Sequence, residues 1–548
     1  MHSKRLKSLA ALGIAAVGLS AIAQSYKVTN IISDGSVPAN LTDANFINPW
    51  GISASGTWWI NAQGTGLDYV VAAAGTVSFK VSIPAASGVT TATGLPAGSV
   101  TTAGAIPMLL PNGIKASFLF STLDGMIAGW NSALGTNGAV AQIAINNSAA
   151  GASYPDLAIL NIVTGGVTSS SYILAANFGT GNAIEVYDNT FKSTKLAGTF
   201  TDPNLPAGYA PFSIHVIGTQ IFVAYAQRTA TAPFRTVNGS GNGVVDIFDT
   251  SGNFVSRAIT GGNLNAPWGI AFAPANFGVF SKDLLVGNFG DGIINVYDPK
   301  TFSYIGQLID ATGKPLSYAS LWELLPGGTA VTGTTSVSGG DTSTVYFTAG
   351  LAGEAHGLFA GITNATIAGS SPTFGFSAAT GTATVTAGSA VSVPLSAVPA
   401  NGFTGVINLS CSGLPIGATC TFNPTVQINV AANTVGFGSM TIQTQKASAS
   451  VQPHHFGNAR SNGILSAMLL PFASILIFRR RRSSGNAAFP RLMGVMLILI
   501  ATTGFIAGCS SSTVQNPSTP TPAGQSTVTV TASSGAVTQT TSIVLTVK

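Results

Sequence analysis

Acids and imidazoles are sparse in this chain, so the few that stand close together carry most of the chemistry the sequence offers. There are three glutamates, Glu185, Glu323 and Glu354, and five histidines, His2, His215, His356, His454 and His455. In Glu354-Ala355-His356-Gly357 an acid and an imidazole stand two residues apart. On an extended segment both would face one side, where they could hold a metal ion or pass a proton. A plain turn ahead of a closing strand would use the same residues. His454-His455 lies in a polar spacer, and His215 sits in an apolar strand pattern that suits a half-buried imidazole. A divalent ion such as Ca2+ needs carboxylates and amides converging from several turns, and Asp124, Asn177, Asn288, Asp291, Glu354 and His356 are the candidates. Each is explained as well by turn chemistry. No GxSxG, HExxH, P-loop or dinucleotide fingerprint occurs in a fitting context, so no catalytic residue and no resident cofactor is assigned.

The three cysteines divide into a pair and a single. Cys411 and Cys420 lie in a β-rich stretch of a chain that reads as exported, where a disulfide is expected and two free thiols are the alternative. Cys509 closes the run Ile506-Ala507-Gly508-Cys509-Ser510. That run is similar to a lipoprotein signal with its lipid-accepting cysteine, and also reads as a spanning helix that ends in Cys.

The elements that must position these groups are strands. Pro49-Trp50-Gly51-Ile52 returns as Pro267-Trp268-Gly269-Ile270, with weaker copies at Pro111-Asn112-Gly113-Ile114 and Pro211-Phe212-Ser213-Ile214. An unmarked copy fits near Tyr154-Pro155 and another begins near Ser317-Tyr318, giving six units of roughly fifty residues, a period typical of propeller blades. Hairpin turns with Asn and Gly recur at Asn61, Asn177 and Asn288, and strands such as Ile184–Asp188, Val244–Asp249 and Ile293–Asp298 belong with them. Trp50 and Trp268, equivalent in the repeat, could line a channel or a binding face, although a repeated Trp also serves as core. The expected fold is an all-β six-bladed β-propeller over residues 24–368.

From about residue 373 the pattern changes. Alternating strands at 383–388, 391–395, 406–411, 420–422 and 440–444, with two more at 526–532 and 542–547, read as an immunoglobulin-type sandwich of about seven strands. Its first part spans 373–447 and its closing strands 526–548. Between them, after a linker at 448–462, apolar runs Gly463–Phe478 and Leu492–Ala507 flank Arg479, Arg480, Arg481 and Arg482. These predict two short transmembrane helices over 463–508, with the arginines cytoplasmic and the folded parts outside, and a second linker at 509–525.

Lys4, Arg5 and Lys7, an apolar run, and Ala21-Ile22-Ala23 read as a signal peptide over residues 1–23, with a first transmembrane anchor as the alternative. The formal charge of +5 is therefore misleading. Without the signal and the arginine cluster the remainder carries about two negative charges, so a nucleic-acid partner is not expected. Apolar residues make up 46% and charged residues 7%, a balance that suits strands and turns.

The stretch around Asn48-Pro49-Trp50-Gly51-Ile52, the repeat Ala266-Pro267-Trp268-Gly269-Ile270, and Tyr346-Phe347-Thr348-Ala349-Gly350 through His356-Gly357-Leu358-Phe359 resemble an uncharacterised bacterial family of six-bladed propellers. The resemblance covers roughly residues 26–365 and implies the fold without an activity. Gly402-Phe403-Thr404-Gly405, Cys411-Ser412-Gly413-Leu414-Pro415 and Cys420-Thr421-Phe422-Asn423-Pro424 resemble Ig-like domains of acidobacterial surface proteins. The expected function is an exported, membrane-tethered module of the cell envelope that binds or displays, toward a glycan, a protein or a small molecule. A metal-dependent lactonase-like hydrolase and a structural envelope protein are the alternatives.

Overall fold

Strand entry is set by the same short pattern again and again. Proline has no N–H to leave unpaired at a strand's first position, and Pro49, Pro96 and Pro267 take it in Pro49–Ala54, Pro96–Thr101 and Pro267–Phe272, while Pro211 is the third residue of Tyr209–Ile217. The residue before the strand lies at positive φ in three cases, at Asn48 (47°), Ala266 (49°) and Ser320 (50°), which turns the chain sharply inward. The computed structural model describes residues 25–72, 75–86, 93–328, 339–365, 372–431, 433–446 and 519–548. The regular structure of the described residues is almost entirely strand, arranged as eight small sheets.

Six of these sheets have four or five strands each and follow one another along the chain. Their innermost strands are Pro49–Ala54, Pro96–Thr101, Asp156–Thr164, Tyr209–Ile217, Pro267–Phe272 and Leu321–Pro326. Each packs against the next, and Leu321–Pro326 packs back onto Pro49–Ala54, so the six close into a ring. The second unit enters at Pro96-Ala97-Gly98. Pro111-Asn112-Gly113-Ile114, expected to open a strand there, forms a turn before Phe118–Thr122 instead. The last sheet is completed from both ends of the ring's sequence. Ser25–Ser33 pairs antiparallel with Leu358–Ala365, from Ser25 opposite Ala365 to Ser33 opposite Leu358.

The remaining two sheets face each other as a sandwich. One has the order Thr373–Ala378, Ala390–Ala400, Gly436–Gln443, Thr419–Asn423; the other Thr382–Val385, Val537–Val547, Gly524–Ser534, Gly405–Ser412, Gln427–Val430. That makes nine strands where about seven were expected; Thr373–Ala378 and Gln427–Val430 were not legible as strands. The late hairpin Gly524–Val547 is central to its sheet, and Val528, Val530, Ile543 and Leu545 are fully buried in the sandwich core. The Cys411–Cys420 disulfide is present and joins Gly405–Ser412 in one sheet to Thr419–Asn423 in the other.

Ring and sandwich share a core. Val398 and Ala400 pack in one cluster with Phe280, Leu308 and Phe347 of the ring. Tyr304 Oη donates to Ser377 Oγ at 2.8 Å, and Asn263 Nδ2 to the Ala378 carbonyl at 2.7 Å. The signal peptide, the predicted membrane hairpin at 463–508 and Cys509 lie outside the described residues. Among the described residues no helix is long and apolar enough to cross a membrane. The two chain ends that flank the undescribed stretch meet: Thr521 N donates to the Gln445 carbonyl at 2.9 Å and Gln445 N to Thr521 Oγ1 at 2.9 Å.

Candidate functional site

One position recurs at the entry of every innermost strand. It is Gly51, Gly98, Asp156, Ser213, Gly269 and Glu323, around the ring in order. In five of the six sheets the ladder shifts register here, a bulge that turns this residue toward the neighbouring inner strand. The glycines allow backbones to approach: a Cβ on Gly98 would lie 2.6 Å from Asp156 Oδ1, and one on Gly269 2.5 Å from the Trp322 carbonyl. Where the residue is polar, it bonds the next strand's free edge. Asp156 Oδ2 accepts from Ile214 N at 2.8 Å, Ser213 Oγ donates to the Trp268 carbonyl at 2.5 Å, and the Glu323 carboxyl accepts from Ile52 N. The row thus satisfies backbone groups at the ring's inner edge that would otherwise be orphaned.

On one side of this row lies an aromatic layer. Trp50 and Trp322 stack with centroids 3.3 Å apart, Trp268 meets both edge-on, and Phe212 and Phe289 pack against Trp322. Trp268 is fully buried and Trp50 nearly so, which is core packing rather than the lining of a channel or binding face. On the other side, a cavity of about 310 Å³ runs along the ring axis, lined by residues of all six innermost strands. It is a well; the rings of the aromatic layer lie on the far side of the row and are not part of its lining.

Three ionisable side chains stand at its floor: Asp156, His215 and Glu323. His215 Nε2 lies 3.0 Å from the Trp268 carbonyl, which can only accept, so Nε2 carries the hydrogen. Nδ1 is then an acceptor when the ring is neutral, and it faces Glu323 Oε1 at 4.0 Å. On the other side, Nε2 lies 3.9 Å from Asp156 Oδ2. Burial pushes the Asp156 carboxyl up to about 8, although the amides of Ile214 and Leu157 pull it down. Burial, with the nearby Asp156, holds the Glu323 carboxyl well above its usual range. The imidazole is pushed down to about 4 by burial, against the Trp268 carbonyl. The cavity lining contains no Lys or Arg. At neutral pH the floor therefore holds largely uncharged groups that can exchange protons.

The metal candidates are placed elsewhere and apart. Asp124 Oδ2 accepts from Ala86 N at 3.1 Å in one turn, and Asn177 Nδ2 donates to Glu185 Oε1 at 2.6 Å in another. Asn288 Nδ2 donates to Asp291 Oδ1 at 3.1 Å within a single loop. Glu354 ends the short turn Leu351–Glu354 and accepts from Asn48 Nδ2 at 2.8 Å. His356 Nδ1 lies 2.6 Å from Asp34 Oδ2 instead, so the segment is not extended and the two residues serve different partners. Among the described residues no group of three or more His, Cys, Asp or Glu side chains could hold a metal ion.

Sequence reasoning passed over Asp156 and Glu323 and read His215 as a satisfied strand imidazole. The signal lay in register: the two weakest copies, near Tyr154-Pro155 and Ser317-Tyr318, carry acids where the strong copies carry glycine.

No family model matches the chain. An uncharacterised protein of Acanthamoeba polyphaga mimivirus is 27% identical over 310 residues, which is 55% of this chain and 74% of that one. A second uncharacterised protein of the same virus is 33% identical over 171 residues, 30% of this chain and 42% of that one. Among solved structures, an α-L-arabinofuranosidase of Fusarium graminearum aligns over 61% of this chain and 97% of its own at 9% identity, with a TM-score of 0.38. An aldose sugar dehydrogenase of Streptomyces coelicolor aligns over 62% of this chain and 98% of its own at 9% identity, with a TM-score of 0.32.

Proposed function

We propose that the chain is a six-bladed β-propeller joined to an Ig-like sandwich, exported and tethered to a membrane, and that it binds a small molecule in the axial well. The observation that carries the binding role is the well itself: about 310 Å³, within the size of small-molecule sites, with a largely aliphatic lining that includes Asp156, His215 and Glu323 among its polar groups. Closure of six sheets into a ring, with the first strand completing the last sheet, supports the propeller. Two facing sheets, antiparallel but for the parallel edge pairing of Thr382–Val385 with Val537–Val547 and joined by a disulfide, support the Ig-like reading.

The tether draws on the meeting of Gln445 and Thr521. A chain that leaves and rejoins the fold at one point must cross a membrane an even number of times, and the two apolar runs around Arg479–Arg482 supply two crossings. The arginines then sit on the cytoplasmic side and the ring outside. The disulfide is consistent with that location.

The test is a thermal-unfolding screen of the full-length protein in mild detergent against a small-molecule collection. Ligands of the well stabilise the native protein by about 2.7 kcal/mol at 100 times Kd, which raises its midpoint, and leave the midpoint of Ser99→Phe, whose ring fills the well, unmoved. A ligand that stabilises both proteins equally places the site elsewhere. The hydrolase reading draws on the same imidazole and carboxyls as acid and base; turnover of a lactone and ester panel that is lost in His215→Gln would favour it.

A further inference from the structure

The floor of the well offers acceptors with no cation to match them. His215 commits its Nε2 hydrogen to the Trp268 carbonyl, which leaves Nδ1 as an acceptor. Glu323 Oε1 is 4.0 Å from Nδ1 and accepts from Leu324 N at 3.1 Å, and the same carboxyl also accepts from Ile52 N. Asp156 stands on the opposite side of the imidazole and takes amide hydrogen bonds from Leu157 and Ile214. Ser53 and Ser99, the hydroxyls nearby on the wall, are bonded to each other at 2.7 Å. Above the floor the wall is largely aliphatic, with Ile52, Val100, Leu157 and Leu324 among its residues.

An anion would meet two acids here, and a neutral alcohol would offer a single donor. A protonated primary amine brings three N–H donors and one positive charge on an aliphatic stem. We propose that the well takes an aliphatic primary amine, its ammonium group bridging His215 Nδ1 and the Glu323 carboxylate, with the Asp156 carboxyl beyond the imidazole. The inference rests on the well being the binding site and adds the chemical class of its ligand. Two atoms 4.0 Å apart can both be reached at hydrogen-bond distance by one nitrogen between them. A carboxylate paired with ammonium forms a charge-assisted bond, about twice as strong as a neutral one.

Ionisation follows from the same geometry. In the empty well burial favours the protonated acids. An entering ammonium favours the carboxylate, so binding expels a proton. The titratable groups that face the ammonium are Asp156, His215 and Glu323, from the third, fourth and sixth innermost strands; the other three strands contribute none to the lining.

The test is calorimetric titration of the full-length protein at pH 7 with n-butylamine and, separately, 1-butanol, each in two buffers of different ionisation enthalpy. We expect the amine to bind at least tenfold more tightly than the alcohol and to release close to one proton. Glu323→Gln, which keeps one acceptor for the two amides of Leu324 and Ile52, should weaken the amine at least tenfold and abolish most of the release, in a protein that still unfolds cooperatively at a somewhat lower midpoint. Equal binding of alcohol and amine, or unchanged amine binding in Glu323→Gln, would overturn the amine and leave the well as a site for neutral ligands. Binding of neither, or amine binding retained in Ser99→Phe, would overturn both the amine and the well.

Discussion

Asp156, His215 and Glu323 make the stability of the ring depend on pH in a window that can be named. A carboxyl raised to about 8 keeps its proton in the folded chain, while in the unfolded chain it loses it near the ordinary value of 3.8. Its contribution is thus full below 3.8 and is lost as pH rises through 8; Glu323 has the same sign. His215 acts in the opposite sense on the acid side, because its pKa falls from 6.5 to about 4 on folding and stability is lost as pH drops through that interval. Between pH 6.5 and 8 the acids dominate. We expect the denaturation midpoint of the native protein to fall across that range and that of Asp156→Asn to fall less. At pH 6.5 the variant should be weaker by about 1–2 kcal/mol, since one amide-to-carboxyl hydrogen bond is replaced by a facing pair of N–H donors. A native midpoint that rises between pH 6.5 and 8 would contradict the burial of these acids. None of the three was singled out from the sequence as a site, because no local motif joins residues 156, 215 and 323; only closing the ring brings them together. The tryptophans Trp50 and Trp268 were legible as a repeat, yet repetition alone did not tell a channel wall from the layer beneath it.

At the scale of single elements, the inner strands depend on close backbone approach at one row. Gly98→Ala places a methyl 2.6 Å from Asp156 Oδ1 and beside the backbone of the third inner strand. A rigid edge cannot yield easily, so we expect a loss of about 1–3 kcal/mol in chemical denaturation. Gly113→Ala, where nothing lies within 4 Å but φ is 77°, should cost about 1 kcal/mol through backbone strain alone. An equal cost at the two positions would remove the packing argument. In the sandwich, the Cys411–Cys420 disulfide closes a short loop across two sheets. Replacing both cysteines by serine should lower stability by about 3 kcal/mol, read as a drop in the sandwich's unfolding midpoint. Hairpin strands such as Gly243–Asp249 and Ala183–Asp188 could be read from alternation and from their Asn-Gly turns. Pro111–Ile114 could not be told from a strand entry, because a Pro-x-Gly sequence serves a turn equally well. Pro96-Ala97-Gly98 lacks the aromatic that marked the stronger copies.

For the whole molecule, the sequence shows the order of parts, and the structure shows how they join. Closure of the ring through Ser25–Ser33 makes the first described strand a member of the last sheet. The late hairpin Gly524–Val547 is central to its sheet, so the sequence between Gln445 and Thr521 is an excursion between strands of one sandwich. If that excursion is a membrane hairpin, protease added outside intact spheroplasts should reach loops of the ring and sandwich, while a tag inserted between Arg482 and Ser483 stays protected. Digestion of the tag without permeabilisation would refute the topology.

The claim on which the rest depends is that the axial well is open to solvent and reaches the floor. A thiol at its wall reports this directly: Ser99→Cys in a chain whose Cys509 is replaced by Ser, treated with a small methanethiosulfonate reagent under native conditions. We expect Cys at position 99 to be modified in the folded protein, and the modification to abolish stabilisation by any ligand of the well. A thiol that reacts only after the ring is unfolded would show that the cavity is sealed and would contradict its role as a binding site.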